Sequence, residues 1–253
     1  MQIGKRRWTD LRWVLAQRET YVALLRSLWI VKQPIRTLLR EAFASSLKQR
    51  EVQVRTPLGP FDIRLRSAVD LSTVLGVFCR QDYAPPADSR VVIDIGANIG
   101  IATLFFLSRN HRAIVYAYEP VEDNLEMFRR NVEPLRERCQ LNAVAVAPET
   151  GTVDFAVEPT GKFGGMDVAS ERTIRVPCIA LNEVLESVVS KHGNVDCLKL
   201  DVEGSERQLL QSLDRSFWRR IRCIYAENSD SRTFMSADFA RTFRYNVERL
   251  AQR

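Results

Sequence analysis

The sequence predicts an α/β domain with a mostly parallel sheet, and three stretches carry that prediction. Residues 91–100 read VVIDIGANIG: apolar and β-branched residues run into Asp94, and Gly96, Ala97, Asn98 and Gly100 then precede a helical pattern starting at Ile101. That is the order strand, tight turn, helix. Residues 113–120, AIVYAYEP, give a second apolar strand closed by Glu119. Residues 195–206, VDCLKLDVEGSE, give another strand, which delivers Asp201 and Glu203 to a turn at Gly204 ahead of a helix starting with Ser205 and Glu206.

The first turn suits a nucleotide-type ligand. Glycine permits positive φ and lets a ligand approach main-chain N–H groups at the positive end of the next helix. Glycines at 96 and 100 do not complete G-x-G-x-x-G, and no Lys-Ser or Lys-Thr follows to make a P-loop, so pyrophosphate is not the favoured ligand. Glu119 follows Asp94 by 25 residues, and an acid ending the second strand is placed to accept hydrogen bonds from both hydroxyls of a ribose. The plain alternatives are a solvated strand-end carboxylate and ordinary strand-to-helix geometry.

At 253 residues, 45% of them hydrophobic, the chain can form one large or two small globular domains without covalent staples. Its five cysteines, at 79, 139, 178, 197 and 223, are scattered without a C-x-x-C pair, and there are two histidines; neither a disulfide framework nor a zinc site is suggested. The apolar run over 21–31 is interrupted by Arg26 and is too short to span a bilayer, and no signal peptide is evident, so a reduced, cytoplasmic protein is expected. The formal charge of +6 is uneven: residues 1–50 hold eleven Lys and Arg against Asp10, Glu19 and Glu41, a net +8, which leaves −2 for the remaining 203 residues.

Taken in order, Trp8, Leu11, Leu15, Val22, Leu25 and Trp29 recur at helical spacing, predicting an amphipathic helix or helix pair over 8–31. Pro34 interrupts it, and residues 35–47 resume the period. A helical cap is one reading of this segment. The other is a basic amphipathic surface for an anionic membrane or a protein partner, since Lys5, Arg6, Arg7 and Arg12 flank Trp8 and Trp13. No nucleic-acid module is recognisable, so no nucleic-acid partner is expected. Alternation over 52–55 and 61–65 predicts a β-hairpin, and Asp70 is expected to cap a short helix running through Cys79. Expected domains are thus a basic helical segment over 1–50, a hairpin and helix lead-in over 51–90, and the α/β domain over 91–253. Within the last, a helix is predicted over 121–132, one strand over 140–147, and two more over 152–157 and 173–179 flanking a long glycine-containing loop suited to closing over a substrate. Lys199 and Asp201 share a strand face, where charge is costly unless paired.

The stretches DIGANIG, YEP, LNAVAVAPETGTVDF, VPCIALNEVL and LKLDVEGSE, in that order, resemble the FkbM family of S-adenosylmethionine-dependent methyltransferases across about residues 55–227. The resemblance implies a class I methyltransferase (Rossmann-like) fold, a mostly parallel sheet with helices on both faces plus an N-terminal helical and β-hairpin extension. It implies S-adenosylmethionine at the carboxyl ends of the strands and methyl transfer to a hydroxyl of a sugar, polyketide or lipid-linked glycan. Cofactor contacts would fall to Asp94, Gly96, Asn98, Gly100 and Glu119, with Asn142 and Ala143 beside the adenine. Asp201 and Glu203 are the candidate general bases, with Glu227 behind them, and no metal is required. Asn182 stands where the family commonly has Asp, and either caps a helix. Only 26 residues follow Glu227, so a truncated or irregular sheet edge is expected there. The rival readings are a nicotinamide-dependent oxidoreductase, opposed by the missing third glycine, and a binding protein that keeps the fold without turnover.

Overall fold

The computed structural model of the chain describes residues 2–3, 6–7, 18–43, 51–157, 164–165, 173–202, 204–227, 239–244 and 247–253. Expectations resting on Lys5, Trp8, Leu11, Arg12, Trp13, Leu15, Leu47, Glu203 and most of the loop over 159–172 lie outside the described residues. The chain divides into two compact units, Met1–Ala84 and Pro85–Arg253, and all three strand-end stretches belong to the second.

In the first unit, helices α1 (Arg18–Ile30) and α2 (Pro34–Phe43) precede a hairpin of β1 (Glu51–Thr56) and β2 (Gly59–Arg64). The helical pattern is broken between Ile30 and Pro34 as expected, and Pro34 opens the second helix, at the first position, where its missing N–H is no loss. Thr56 pairs with Gly59 across a two-residue turn of Pro57 and Leu58. Helix α3 (Ala68–Val74) is capped by Ser67, and Asp70 is its third residue. Asp70 completes a capping box by accepting from Ser67 N at 3.0 Å, so the expectation that Asp70 is the cap is corrected by three residues.

The main sheet of the second unit has seven strands: β3 (Val91–Ile95), β4 (Ile114–Tyr118), β5 (Cys139–Asn142), β9 (Cys197–Leu200), β10 (Cys223–Glu227), β11 (Phe239–Arg244) and β12 (Val247–Gln252). Their order is β11-β12-β10-β9-β3-β4-β5, with β12 running against both neighbours. Every residue of β3 is buried, as expected for a central parallel strand covered on both faces. Ile93, Ile95, Leu198 and Leu200 share a core with Leu181 and Leu185 of α6 (Leu181–His192) and Leu209 and Leu210 of α7 (Glu206–Ser212). On the opposite face, Asp94 meets Thr103 of α4 (Ile101–Arg109). Helix α5 (Glu122–Val132) connects β4 to β5, and a short α8 (Arg215–Trp218) precedes β10.

Three expectations change. The single strand predicted over 140–147 is two: β5 ends at Asn142, while β6 (Ala145–Ala147) pairs instead with β8 (Thr173–Ala180) in a second sheet, beside β7 (Gly151–Val157). The chain leaves the main sheet because Asn142 is the last residue in register with Tyr118, and apolar Ala145 and Ala147 are buried with Phe155 and Val176 in a separate small core. The sheet edge after Glu227 is not irregular: β12 pairs with β10 along five residues and β11 with β12 along six. Asn182 caps no helix of its own, since the cap of α6 is Ala180. Its side chain instead donates to Ser212 O at 2.8 Å and accepts from Asp214 N at 3.0 Å, pinning the α7–α8 connection.

Candidate active site

The carboxyl ends of β3, β4, β5 and β9 meet at one edge of the sheet, which is where open α/β sheets hold ligands. The turn after β3 needs left-handed backbone three times, with φ of 73° at Gly96, 47° at Asn98 and 84° at Gly100. At Gly96 the requirement is also steric: a Cβ there would stand 1.8 Å from the main-chain oxygen of Asp201, so the turns after β3 and β9 touch backbone to backbone. A Cβ at Gly100 would stand 2.9 Å from Val132 and 3.0 Å from Phe128, which holds α4 close against α5.

The amides of this turn are not presented to a ligand as the sequence suggested. Gly96 N and Ala97 N both donate to Tyr118 O, at 3.1 and 3.0 Å, and Gly100 N donates to Ala97 O at 2.9 Å. Asn98 N donates to Glu119 Oε2 at 2.8 Å. An anion cradle needs those N–H groups free, so these four amides form no pyrophosphate cradle.

Glu119 is not a solvated strand-end acid. It is 4% exposed, and Oε1 accepts from Val121 N at 2.9 Å and from Asn124 Nδ2 at 3.0 Å. Burial pushes its carboxyl above the usual range, partly offset by those bonds and by the Lys199 ammonium. A carboxylate oxygen accepts two hydrogen bonds, so Oε2, with its bond from Asn98 N, retains capacity for one hydroxyl. Glu119 N donates to Asn142 O at 3.1 Å, and Asn142 Nδ2 donates to Ala117 O at 3.2 Å. Asn142 thus closes the β4–β5 edge, and Ala143 follows it exposed.

Lys199 and Asp94 face each other in register on β9 and β3. Lys199 is 2% exposed, and its Nζ lies 2.9 Å from Asp94 Oδ1, 3.4 Å from Asp201 Oδ2 and 3.0 Å from Gly96 O. Burial favours loss of the proton, but the Asp94 and Asp201 carboxylates outweigh it and hold the ammonium above the ordinary lysine range. Thr103 Oγ1 donates to Asp94 Oδ2 at 2.6 Å. Asp201 is the partly exposed member, with about a quarter of its side chain accessible. Glu203 lies outside the described residues; Glu227 ends the adjacent β10, half-buried.

Sequence reasoning missed three supports. Thr103 and Asn124 gave no signal beyond their places in the first turns of α4 and α5. Glu206, the first residue of α7, is 3% exposed and accepts from Val202 N at 2.9 Å and Gly204 N at 3.0 Å. Burial raises its pKa, offset in part by these backbone bonds.

The edge therefore gathers the carboxyl groups of Asp94 and Asp201 around the ammonium of Lys199, with buried Glu119 and Glu206 on the neighbouring turns. Carboxylates crowded at one strand edge disfavour a diphosphate there. In comparison with known proteins, residues 94–249 match the methyltransferase FkbM domain. The chain belongs to the FkbM methyltransferase family. Among its relatives, it is 26% identical over 181 residues to "Methyltransferase 1" of Beauveria bassiana, covering 63% of this chain and 71% of that protein. It is 28% identical over 170 residues to the 31-O-demethyl-FK506 methyltransferase FkbM of Streptomyces tacrolimicus, covering 55% of this chain and 65% of that protein. With the 2-O-methyltransferase NoeI of Sinorhizobium fredii it shares 26% over 161 residues, covering 57% of this chain and 65% of that protein. The chain thus spans about two thirds of the length of these relatives.

Proposed function

We propose that this FkbM-family chain is an S-adenosylmethionine-dependent methyltransferase that acts on a hydroxyl oxygen of a sugar, polyketide or lipid-linked glycan. The observation that carries the reading is the acid-rich strand edge with its glycine-turn amides already engaged, which suits a sulfonium nucleoside. Two relatives whose names specify an atom, the 31-O-demethyl-FK506 methyltransferase and the 2-O-methyltransferase, both specify oxygen. S-adenosylmethionine supplies a methyl group on a positively charged sulfur, already activated for displacement.

The residues present fit that group. Glu119 Oε2 would hold a ribose hydroxyl on its remaining acceptor site. Asn142, which ends β5, and Ala143 after it would flank the adenine, while Gly96 and Asn98, both partly accessible, would line the approach, with Asp94 and Gly100 shaping the turn from beneath. Asp201 takes the proton of the acceptor hydroxyl as the oxygen attacks, with Glu203 as the neighbouring candidate base. Lys199 keeps Asp201 and the first turn in one geometry, which is the protein's main contribution when the methyl carbon needs no further activation.

Isothermal titration with S-adenosylmethionine, S-adenosylhomocysteine and NAD tests the reading. The two sulfur nucleosides are expected to bind and NAD not to; binding of NAD alone overturns it. In a labelled-donor assay, Asp201→Asn is expected to retain binding and lose about 10²- to 10⁴-fold in turnover, the ordinary size of a general-base contribution.

A further inference from the structure

Helices α1 and α2 of the first unit are built apolar side out. In α1 the fully buried side chain is Ser27, 1% exposed, with its hydroxyl donating to Leu24 O at 2.7 Å. On that packed flank, Arg26 Nη1 donates to Cys79 O at 3.4 Å. Across the helix, Tyr21, Leu25, Leu28 and Trp29, at steps of three and four, are 53%, 65%, 48% and 79% exposed. Helix α2 repeats the inversion: Thr37 is 7% exposed, while Ile35 and Leu39 are 70% and 53% exposed. An amphipathic helix ordinarily turns its apolar stripe to its own core, so these stripes are shaped for an occupant outside this unit.

Charge identifies the occupant. Exposed Arg18, Lys32 and Arg36 lie among the apolar side chains, within the 50-residue segment whose net charge is +8. A second copy would bring the same positive charge to the contact and be repelled. An anionic bilayer surface accepts all three components: aliphatic side chains in the acyl boundary, Trp29 and Tyr21 at headgroup depth, and basic side chains against lipid phosphates. Among the described residues no helix is long and apolar enough to cross a membrane, which leaves in-plane attachment. We propose that α1 and α2 form a docking surface for the face of an anionic lipid bilayer.

Flotation of the full chain with vesicles of phosphatidylcholine alone, or with added phosphatidylserine, tests this. Flotation is expected with phosphatidylserine only and is weakened by high salt. The double substitution Leu25→Glu and Trp29→Glu removes it while leaving the thermal midpoint unchanged, because both side chains are exposed. Arg18→Gln and Lys32→Gln each weaken it about fivefold, the worth of one basic residue near an anionic surface. Absence of flotation with phosphatidylserine, or equal flotation of the Leu25→Glu, Trp29→Glu protein, overturns the proposal. A concentration-dependent dimer that the same double substitution dissolves, without flotation, assigns the stripe to a second copy and overturns it as well.

Discussion

Two glycine turns stand at the ends of neighbouring strands, and they are glycine for different reasons. Gly96 has φ of 73° and no room for a Cβ, whose nearest neighbour would be the Asp201 oxygen at 1.8 Å. Gly204 has φ of 115° with nothing within 4 Å of a Cβ position. The first is fixed by contact between backbones and the second by conformation alone. The turn after β3 is therefore a framework piece, with its donors engaged and its side packed. The turn after β9 has open space at its glycine and carries the partly exposed Asp201.

Substitution at the two glycines separates these roles most sharply. Gly204→Ala is expected to cost about 1–3 kcal/mol, the strain of a left-handed non-glycine residue, and to leave a folded protein. Gly96→Ala adds a backbone overlap and is expected to prevent folding or force the two turns apart, with loss of S-adenosylhomocysteine binding. Similar denaturant midpoints for the two variants would erase the distinction.

The next effect concerns the ion pair between those turns. Lys199→Met leaves Asp94 buried without its cation, and breaking a buried pair from one side costs about 3–5 kcal/mol; chemical denaturation of the two proteins measures it. The pH dependence has a definite sign. Because the folded protein holds the Lys199 proton more tightly than the unfolded chain, the stabilisation is complete below the ordinary lysine pKa of about 10.4 and declines as pH rises through the higher folded value. The wild type should therefore lose this contribution only in strong alkali, and Lys199→Met should lack that phase.

The smallest effect is at Glu119. Since one oxygen accepts Asn98 N–H and the other accepts Val121 N–H and Asn124, the amide group of Glu119→Gln must turn its NH₂ toward an N–H donor either way. A loss of about 1–3 kcal/mol in stability is expected, together with weaker nucleoside binding. A variant that binds more weakly with unchanged stability would assign Glu119 to the ligand alone.

Much of this was legible in the chain. The runs ending at Asp94, Glu119 and Asp201 could be placed because fully buried parallel strands are apolar throughout, and the glycines after them marked the turns. Lys199 was recognisable as needing a partner, but its nearer one, Asp94, lies across a strand pairing that local sequence does not encode. For the same reason the internal bonds of Glu119, the backbone-holding role of Glu206 and the use of Asn182 on another connection were invisible: each depends on side-chain direction set by tertiary packing. The division of 139–147 into two strands of different sheets was hidden because no Gly or Pro marks the break at Ala143 and Val144. The inverted helices of the first unit were visible as amphipathic, while the side they turn outward was not.

The chain of bonds from Asn142 O to Glu119 N, and from Glu119 Oε2 to Asn98 N, runs across the strands. Loop amides are ordinarily the first to trade their protons with solvent. Here Gly96, Ala97 and Asn98 have theirs tied to Tyr118 O and to a buried carboxylate, so in deuterated water this loop should keep its protons as long as the strands beside it and release them only when the sheet itself opens.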